Sequence, residues 1–176
     1  MTKPIPGNAN VRRLIKNPMD AAIVRTLFHY DPSTGVFTRL LSVNGARWNG
    51  LEAGSINAIG YRIIRVGRKD YLAHRLAWLY ITGAWPLLID HIDRCGANNK
   101  FANLREANKS TNGANRGKQA NNSSGFKGVK KHRQKWTASI TIKGINTYLG
   151  LFSSPEAASA AYHFAAKQEY GEFACI

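Results

Sequence analysis

The chain has few acidic residues and few cysteines. The first shortage indicates the kind of partner, and the second excludes two kinds of structural site. Asp and Glu together number 10 against 25 Lys and Arg in 176 residues, which gives a formal net charge of +15. An excess of this size favours a polyanionic partner, with nucleic acid as the first candidate. The two cysteines, Cys95 and Cys175, form no C-x-x-C pair, so the sequence supports neither a zinc ribbon nor a disulfide framework.

Long apolar runs are also missing from the sequence. No stretch approaches the ~20 residues that a membrane-spanning helix needs. The N-terminus lacks the apolar segment of a signal peptide. We therefore expect a cytoplasmic protein with no membrane partner.

Changes in composition divide the chain into segments. Residues 1–16 are predicted to form a flexible basic arm. Residues 17–60 are predicted to hold a helix and strands, with Asn17 and Pro18 as the N-cap and first residue of a helix that ends near Phe28. The tract 117–125, rich in Asn, Ser and Gly, predicts a linker between residues 61–116 and 126–176.

Residues 61–116 show the strongest local signals in the first part of the chain. The β-branched residues of 61–66 predict a strand that ends in a hairpin turn at 67–70. Apolar residues at helical spacing predict an amphipathic helix over 71–83, which Gly83 ends. An apolar strand then ends in the dipeptide Asp90-His91, and a polar loop with Asn103 follows.

The dipeptide places two chemically different groups side by side. Hydrolysis of a phosphodiester needs an activated water and positive charge on the phosphate oxygens. His91 is a candidate general base because histidine titrates near neutral pH. Asp90 and an asparagine carbonyl are hard oxygen ligands suited to Mg²⁺ or Mn²⁺.

Several asparagines could supply the amide oxygen. Asn108, Asn112 and Asn115 lie at i, i+4 and i+7 of a predicted helix, so spacing alone allows any of them to face the metal. Neighbouring side chains on a regular strand point to opposite faces. Asp90 and His91 therefore serve one site only if the strand ends or twists at this point.

The run LLIDHIDRCGANNKFANLREANKSTNGANRG, preceded by AHRLAWLYITGAWP, resembles the HNH endonuclease family, especially its phage-encoded and homing-type members. The resemblance implies a ββα-metal fold and hydrolysis of DNA. By position in the motif, it implies that His91 is the general base and that Asp90 and Asn112 bind one Mg²⁺ or Mn²⁺ ion. It further implies that Asn103 holds the loop of the site.

Each residue also has a structural interpretation. Considered alone, Asp90 is explained as a residue that caps a turn, and His91 as a hydrogen-bonded histidine at the edge of a sheet. Their combination with the asparagine spacing and the basic composition favours the nuclease. His74, on the predicted helix, is assigned a structural role or a phosphate contact.

The C-terminal segment has a different pattern. Alternating apolar and polar residues over 136–142 predict a strand, Lys143 and Gly144 a turn, and 146–152 another strand. Ser154 begins a predicted helix that ends near Tyr170. The segment is therefore predicted to be a small three-stranded antiparallel sheet packed on one helix.

The predicted exposed side of this sheet carries cations and short polar side chains. Such a face can hold phosphates and approach base edges, although a solvated basic face is the alternative. The predicted DNA contacts are Lys127, Lys130, Lys131, Arg133, Lys135, Trp136, Thr137, Ser139 and Thr141. The segments GFKGV, KWTASI, YLGLF and EAASAAY resemble the Apetala/ethylene-response-factor DNA-binding domain, which implies binding of DNA through the sheet.

The sequence as a whole predicts an α+β protein with two modules. These are an HNH nuclease core at 61–116 and a DNA-binding domain at 126–176, acting together on double-stranded DNA. A phage-encoded enzyme of this type would act in the cytoplasm of a bacterial host. The alternatives are a non-catalytic, sequence-specific DNA-binding regulator and a basic RNA-binding protein.

Overall fold

The computed structural model describes residues 18–41 and 46–175. The chain divides into two compact units, Met1–Glu106 and Ala107–Ile176, and both contain helices and strands, as expected of an α+β protein. The predicted arm at 1–16 and the predicted cap Asn17 lie outside the described residues. Over the described ranges, no helix is both long enough and apolar enough to cross a membrane.

The first unit combines a hairpin, a small antiparallel sheet and a strand pair with two helices. Its helices are α1 (Ala21–Leu27) and α2 (Ala73–Thr82). Its strands are β1 (Phe28–Asp31), β2 (Val36–Arg39), β3 (Ser55–Ile56), β4 (Arg62–Val66), β5 (Lys69–Leu72), β6 (Leu88–His91) and β7 (Leu104–Ala107). Strand β1 pairs with β2, β3 to β5 form one sheet in chain order, and β6 pairs with β7.

The apolar core of the first unit joins α1, the β1–β2 hairpin and α2. Leu27, Phe37 and Leu76 are among its fully buried members. The ring of Tyr30 stacks on Phe37 with a centroid separation of 4.6 Å. The N-terminal segment therefore shares one core with the helix that precedes the Asp90-His91 strand.

The ends of the two helices follow different signals. Helix α1 begins at Ala21, and Asp20 Oδ1 accepts a hydrogen bond of 2.8 Å from the amide of Ile23. The prediction of a start at Asn17-Pro18 was therefore wrong, because the carboxylate three residues later caps the helix. Helix α2 ends as predicted at Gly83, whose φ of 80° allows its amide to donate to the carbonyl of Leu79.

The turn of the first hairpin supports the loop that follows His91. Gly35, in the β1–β2 turn, has a φ of 77°, and a Cβ there would lie 2.4 Å from the backbone carbon of Asn99. The hydroxyl of Tyr30 donates to the carbonyl of Asn99 at 2.7 Å. The amide of Phe101 donates to the carbonyl of Pro32 at 2.9 Å. The loop therefore rests directly on hairpin backbone.

The second unit contains the predicted sheet and helix. Its elements are α3 (Lys109–Ala114), β8 (Val129–His132), β9 (Lys135–Ile142), β10 (Ile145–Phe152) and α4 (Pro155–Tyr170). The three strands are antiparallel in the order β10-β9-β8. Ala138 and Ile140 of the central strand are buried together with Ala158 and Tyr162 of α4, as the alternating pattern predicted.

The tract predicted as a linker belongs to the second unit. Its side chains bond to nearby backbone, with Lys118 Nζ donating to Gly125 at 3.1 Å and Ser124 Oγ donating to Val129 at 2.8 Å. The two units divide between Glu106 and Ala107, which differs from the predicted division at 117–125. Composition predicted a linker because the tract lacks apolar side chains. Its contacts are instead hydrogen bonds to backbone carbonyls, which composition does not reveal.

Helix α3 is attached to the rest of the second unit at its last residue. The carbonyl of Ala114 accepts hydrogen bonds from Lys127 Nζ at 2.5 Å and from the amide of Cys175 at 3.2 Å. Ser110 Oγ lies 3.4 Å from the hydroxyl of Tyr170 on α4. These contacts satisfy a carbonyl that the helix itself leaves without a partner.

The support of the loop by Gly35 can be tested by comparison with Gly50. Both residues have a φ of 77°, but a Cβ at Gly50 would meet nothing within 4 Å. We expect Gly50→Ala to lower the free energy of unfolding by about 1–2 kcal/mol through backbone strain alone. Gly35→Ala should cost roughly 2 kcal/mol more, because the backbone of Asn99 must move. Urea denaturation measures both, and equal losses would contradict the contact.

Candidate active site

Asp90 and His91 end strand β6, and both are 5% exposed. Their side chains have different partners, as the alternation of a strand requires. Asp90 contacts Arg105 on the paired strand β7, whereas His91 contacts Tyr61, His74 and Asn99. The carboxylate and the imidazole therefore occupy adjacent but distinct surroundings.

The carboxylate of Asp90 is paired with a guanidinium. Arg105 Nε and Nη2 lie 2.9 Å and 2.7 Å from Asp90 Oδ2, and the side chains are 15% and 6% exposed. A buried carboxylate is stable only with a cation or several donors beside it. Arg105 was not predicted, because nothing local in the sequence indicates that it lies on a strand paired with the strand of Asp90.

The ring of His91 is enclosed by aromatic neighbours. Its centroid lies 4.9 Å from that of His74, edge to face, and 5.8 Å from that of Tyr61. Its Nε2 lies 3.3 Å from Asn99 Oδ1. Burial lowers the pKa of His91, and the contact with Asn99 together with the charges of Asp93 and Asp90 offsets part of that effect.

His74 is a further histidine of this site. It lies on α2, is 6% exposed and packs on the ring of His91, which fits the structural role that the sequence analysis gave as one of two alternatives. Its Nδ1 is the buried side-chain nitrogen without a hydrogen-bond partner in the described part of the chain. Burial, with smaller contributions from His91 and Arg75, lowers the pKa of His74 to about 3.

The loop after His91 is closed by side-chain amides. Asn103 Oδ1 accepts from the amide of Asp93 at 3.0 Å, and Asn103 Nδ2 donates to Asp93 Oδ1 at 2.9 Å and to the carbonyl of Asn98 at 2.8 Å. Asn98 Nδ2 donates to Asp93 Oδ2 at 2.6 Å. Burial opposes ionisation of Asp93, but these bonds and the amide of Cys95 lower its pKa. Asp93 and Asn98 were not predicted as site residues.

The three asparagines of the predicted helix have separate roles. Asn108 is the N-cap of α3, with its Oδ1 accepting from the amide of Thr111 at 2.9 Å, and Asn115 follows the helix. Only Asn112 lies within the helix, so the prediction of a shared helical face is corrected. The helix spans six residues, too few to include all three. Asn112 belongs to the second unit and Asp90 to the first.

The donor types suit a hard divalent cation. A carboxylate at Asp90 and an amide oxygen at Asn112 are ligands of the kind that Mg²⁺ and Mn²⁺ accept, with water at the remaining positions. Across residues 18–41 and 46–175, no three side chains of the His, Cys, Asp and Glu types lie together as a metal site.

Eight of the nine predicted DNA contacts fall into two groups in the second unit. Register and alternation place one group on the side of the sheet away from α4, with Lys130 opposite Thr137. This group consists of Lys130, Lys135, Thr137, Ser139 and Thr141. Arg133 lies in the β8–β9 turn with a φ of 55°.

The other group, Lys127, Lys131 and Trp136, faces α4, so the expectation that all five predicted cations lie on the exposed side is corrected. Trp136 packs against the core beneath α4, and Lys131 Nζ lies 6.0 Å from the centre of its ring. Lys127 Nζ donates to Ala114 and lies 5.9 Å from the ring centre of Tyr162. The sequence analysis grouped the cations without assigning each to a side of its strand.

A model of the HNH endonuclease family matches residues 71–114, about a quarter of the chain. The matched segment contains Asp90, His91, Asn103 and Asn112. It supports an HNH-type nuclease, an enzyme class that acts on DNA and typically uses a divalent metal ion. No curated protein and no solved structure matches the chain.

The buried ion pair predicts an asymmetry between two arginines. Arg105→Met removes the guanidinium that pairs with the buried Asp90 carboxylate, and we expect a loss of about 3–5 kcal/mol in the free energy of unfolding. Arg65→Met removes a pair with Asp70 whose side chains are 68% and 43% exposed, and should cost far less because water screens the two charges. Adding Asp90→Asn to Arg105→Met should restore part of the loss. Denaturant titration of the four proteins measures this, and equal costs at the two arginines would contradict it.

The lowered pKa of His74 predicts destabilisation in acid. The unfolded chain binds a proton at this ring near pH 6.5 and the folded chain only near 3, so the stabilising contribution is complete above 6.5 and is lost as the pH falls towards 3. His91 acts in the same direction. His74→Phe should reduce the slope of unfolding free energy against pH by up to about 1.4 kcal/mol per pH unit. His29→Phe, at an exposed position of β1, should keep the wild-type slope; identical slopes in all three proteins would contradict the prediction.

Proposed function

We propose that the chain is a metal-dependent DNA endonuclease of the HNH type that hydrolyses phosphodiester bonds. The observation that carries the proposal is the family match over 71–114. The matched segment contains the strand β6, which ends in the buried pair Asp90 and His91. The phage-encoded and homing-type members are the relatives that the sequence resembles. The proposal extends the match by assigning a role to each residue.

His91 is the proposed general base. It accepts the proton of the attacking water, so that the oxygen can displace the leaving oxygen at phosphorus. Contacts with His74, Tyr61 and Asn99 fix the plane of its ring. A fixed ring loses less entropy when the water and the phosphate are brought into line.

Asp90 and Asn112 are the proposed ligands of one Mg²⁺ or Mn²⁺ ion. When bound, such an ion supplies positive charge to the phosphate oxygens. Arg105 is the proposed positioning residue for the Asp90 carboxylate, which it contacts at 2.7 Å. Asn103 is proposed to keep the intervening loop closed through its bonds to Asp93 and Asn98.

The second unit is the proposed DNA-binding module for a double-stranded substrate. Its support is the basic composition of the segment and the three-stranded sheet with an open side. The resemblance of residues 123–174 to the Apetala/ethylene-response-factor domain suggests the same role. Cations of such a module hold phosphates and thereby fix the position of the enzyme on DNA.

A non-catalytic DNA-binding regulator is the alternative, and one observation favours it. The Asp90 carboxylate already has a cationic partner in Arg105, so the pair is stable without a metal ion. A regulator would need neither His91 nor Mg²⁺. The alternative therefore predicts DNA binding without cleavage.

Incubation with supercoiled plasmid tests the proposal. We expect wild type to convert the plasmid with Mg²⁺ and not with EDTA, and His91→Ala to be slower by about 10²–10⁴-fold because the general base is lost. His132→Ala, which changes an exposed histidine of β8, is the matched control and should cleave as wild type does. Asp90→Asn and Asn112→Ala should also lose activity. Equal rates for His91→Ala and wild type would overturn the assignment of the base.

A further inference from the structure

The second unit contains a groove whose lining is strongly basic. The groove has a volume of about 1120 Å³ and is bounded by α3, the tract 116–123, β8, the β9–β10 turn and α4. Its lining includes no aspartate and no glutamate. Six exposed cations line it: Lys109, Arg116, Lys118, Lys130, Lys131 and Lys143.

These cations have no acidic partners within the part of the chain that the structure describes. Like charges around one groove repel each other and raise the local potential, so the arrangement favours entry of a polyanion. Amide and hydroxyl groups of Gln119, Asn121 and Ser123 add neutral donors to the lining. Donors of both kinds are the groups that proteins use to hold phosphate oxygens.

The walls of the groove are held in place by contacts within the unit. Lys127 Nζ ties the end of α3 at Ala114 and lies over the ring of Tyr162 on α4. Tyr170 on α4 contacts Ser110 of α3 and the carbonyl of Thr141 on β9. A groove with fixed walls loses little conformational entropy on binding.

Helix α3 is both a wall of the groove and the carrier of Asn112. Lys109, Ser110 and Gly113 line the groove from this helix. The backbone at Gly113 is unobstructed, since a Cβ there would meet nothing within 4 Å. A strand lying in the groove would therefore pass along the helix that holds a proposed metal ligand.

The open side of the sheet is a poorer site for phosphate. Tyr148 and Leu151 of β10 lie on that side, opposite Ser139 and Thr137, and are 62% and 46% exposed. Neither side chain brings a positive charge to a phosphate contact. The cations of the unit are thus concentrated in the groove rather than on the face.

We propose that this groove binds the phosphodiester backbone of one strand of the DNA duplex. The proposal rests on the proposed function, which identifies the ligand as DNA. It places the main phosphate contacts in the groove instead of on the face of the sheet. It makes α3 a shared element, with Lys109 for the DNA backbone and Asn112 for the ion. Lys130, at the rim, belongs to both surfaces.

Matched pairs of substitutions in the full chain can locate the contacts. The groove pair is Arg116→Gln with Lys143→Asn, the sheet-face pair is Arg133→Asn with Lys135→Gln, and the control pair is Arg68→Gln with Lys69→Gln. Each pair removes two charges. Lys143 and Arg133 both have left-handed backbone, with φ of 51° and 55°, which asparagine tolerates. Unfolding midpoints verify that each variant is folded.

Binding is measured with a fluorescent DNA duplex in EDTA, in chains that also carry His91→Ala, over a range of salt concentrations. The groove pair should weaken binding at least about tenfold and reduce the slope of log affinity against log salt by about 2, since each phosphate contact releases about one counterion. The sheet-face and control pairs should stay within about twofold of the parent at fixed salt.

Other outcomes overturn the proposal. A larger loss for the sheet-face pair would assign the contacts to the sheet, and equal losses for all three pairs would show that net charge alone attracts DNA. Absence of binding by the parent would also overturn it. Because these measurements need neither metal nor cleavage, they can succeed or fail independently of the plasmid assay that tests the nuclease.

Discussion

Burial of the Asp90 carboxylate is the constraint on which the first unit depends. A charge removed from water must have a partner, and here the partner is Arg105 on the neighbouring strand. The pairing of β6 with β7 is therefore needed for charge compensation as well as for backbone hydrogen bonds. It also fixes both ends of the loop that runs from His91 to Asn103.

The surroundings of His91 extend this constraint into the N-terminal part of the unit. Asn99 contacts the imidazole with its side chain and Tyr30 with its carbonyl, so the loop is held between the histidine and the first hairpin. Tyr30 in turn stacks on Phe37 in the apolar core. Residues far from the Asp-His dipeptide in sequence thus determine where its ring lies.

The sequence predicted the elements whose signals are local. Helix α2 ends at Gly83 and α4 begins after Ser154, because a left-handed residue and a capping hydroxyl act within one turn of the helix. Contacts between distant residues were missed, among them Arg105 with Asp90 and Lys127 with Ala114. The start of α1 was misplaced because Asn17-Pro18 and Asp20 are both acceptable helix starts by local chemistry. The side of the sheet on which Lys131 lies follows from its pairing with Trp136, which cations counted along the sequence do not reveal.

The hydrogen bonds that join α3 to the C-terminal part of the chain affect where a gene encoding this protein can be recombined. The carbonyl of Ala114 is bound by Lys127 and by the amide of Cys175, so α3 depends for its anchoring on residues up to 61 positions away. A crossover inside the Asn- and Ser-rich tract would separate the helix from both donors. A crossover between Glu106 and Ala107 would transfer Asn112 together with its support, and chimeric proteins joined there would inherit an intact second unit.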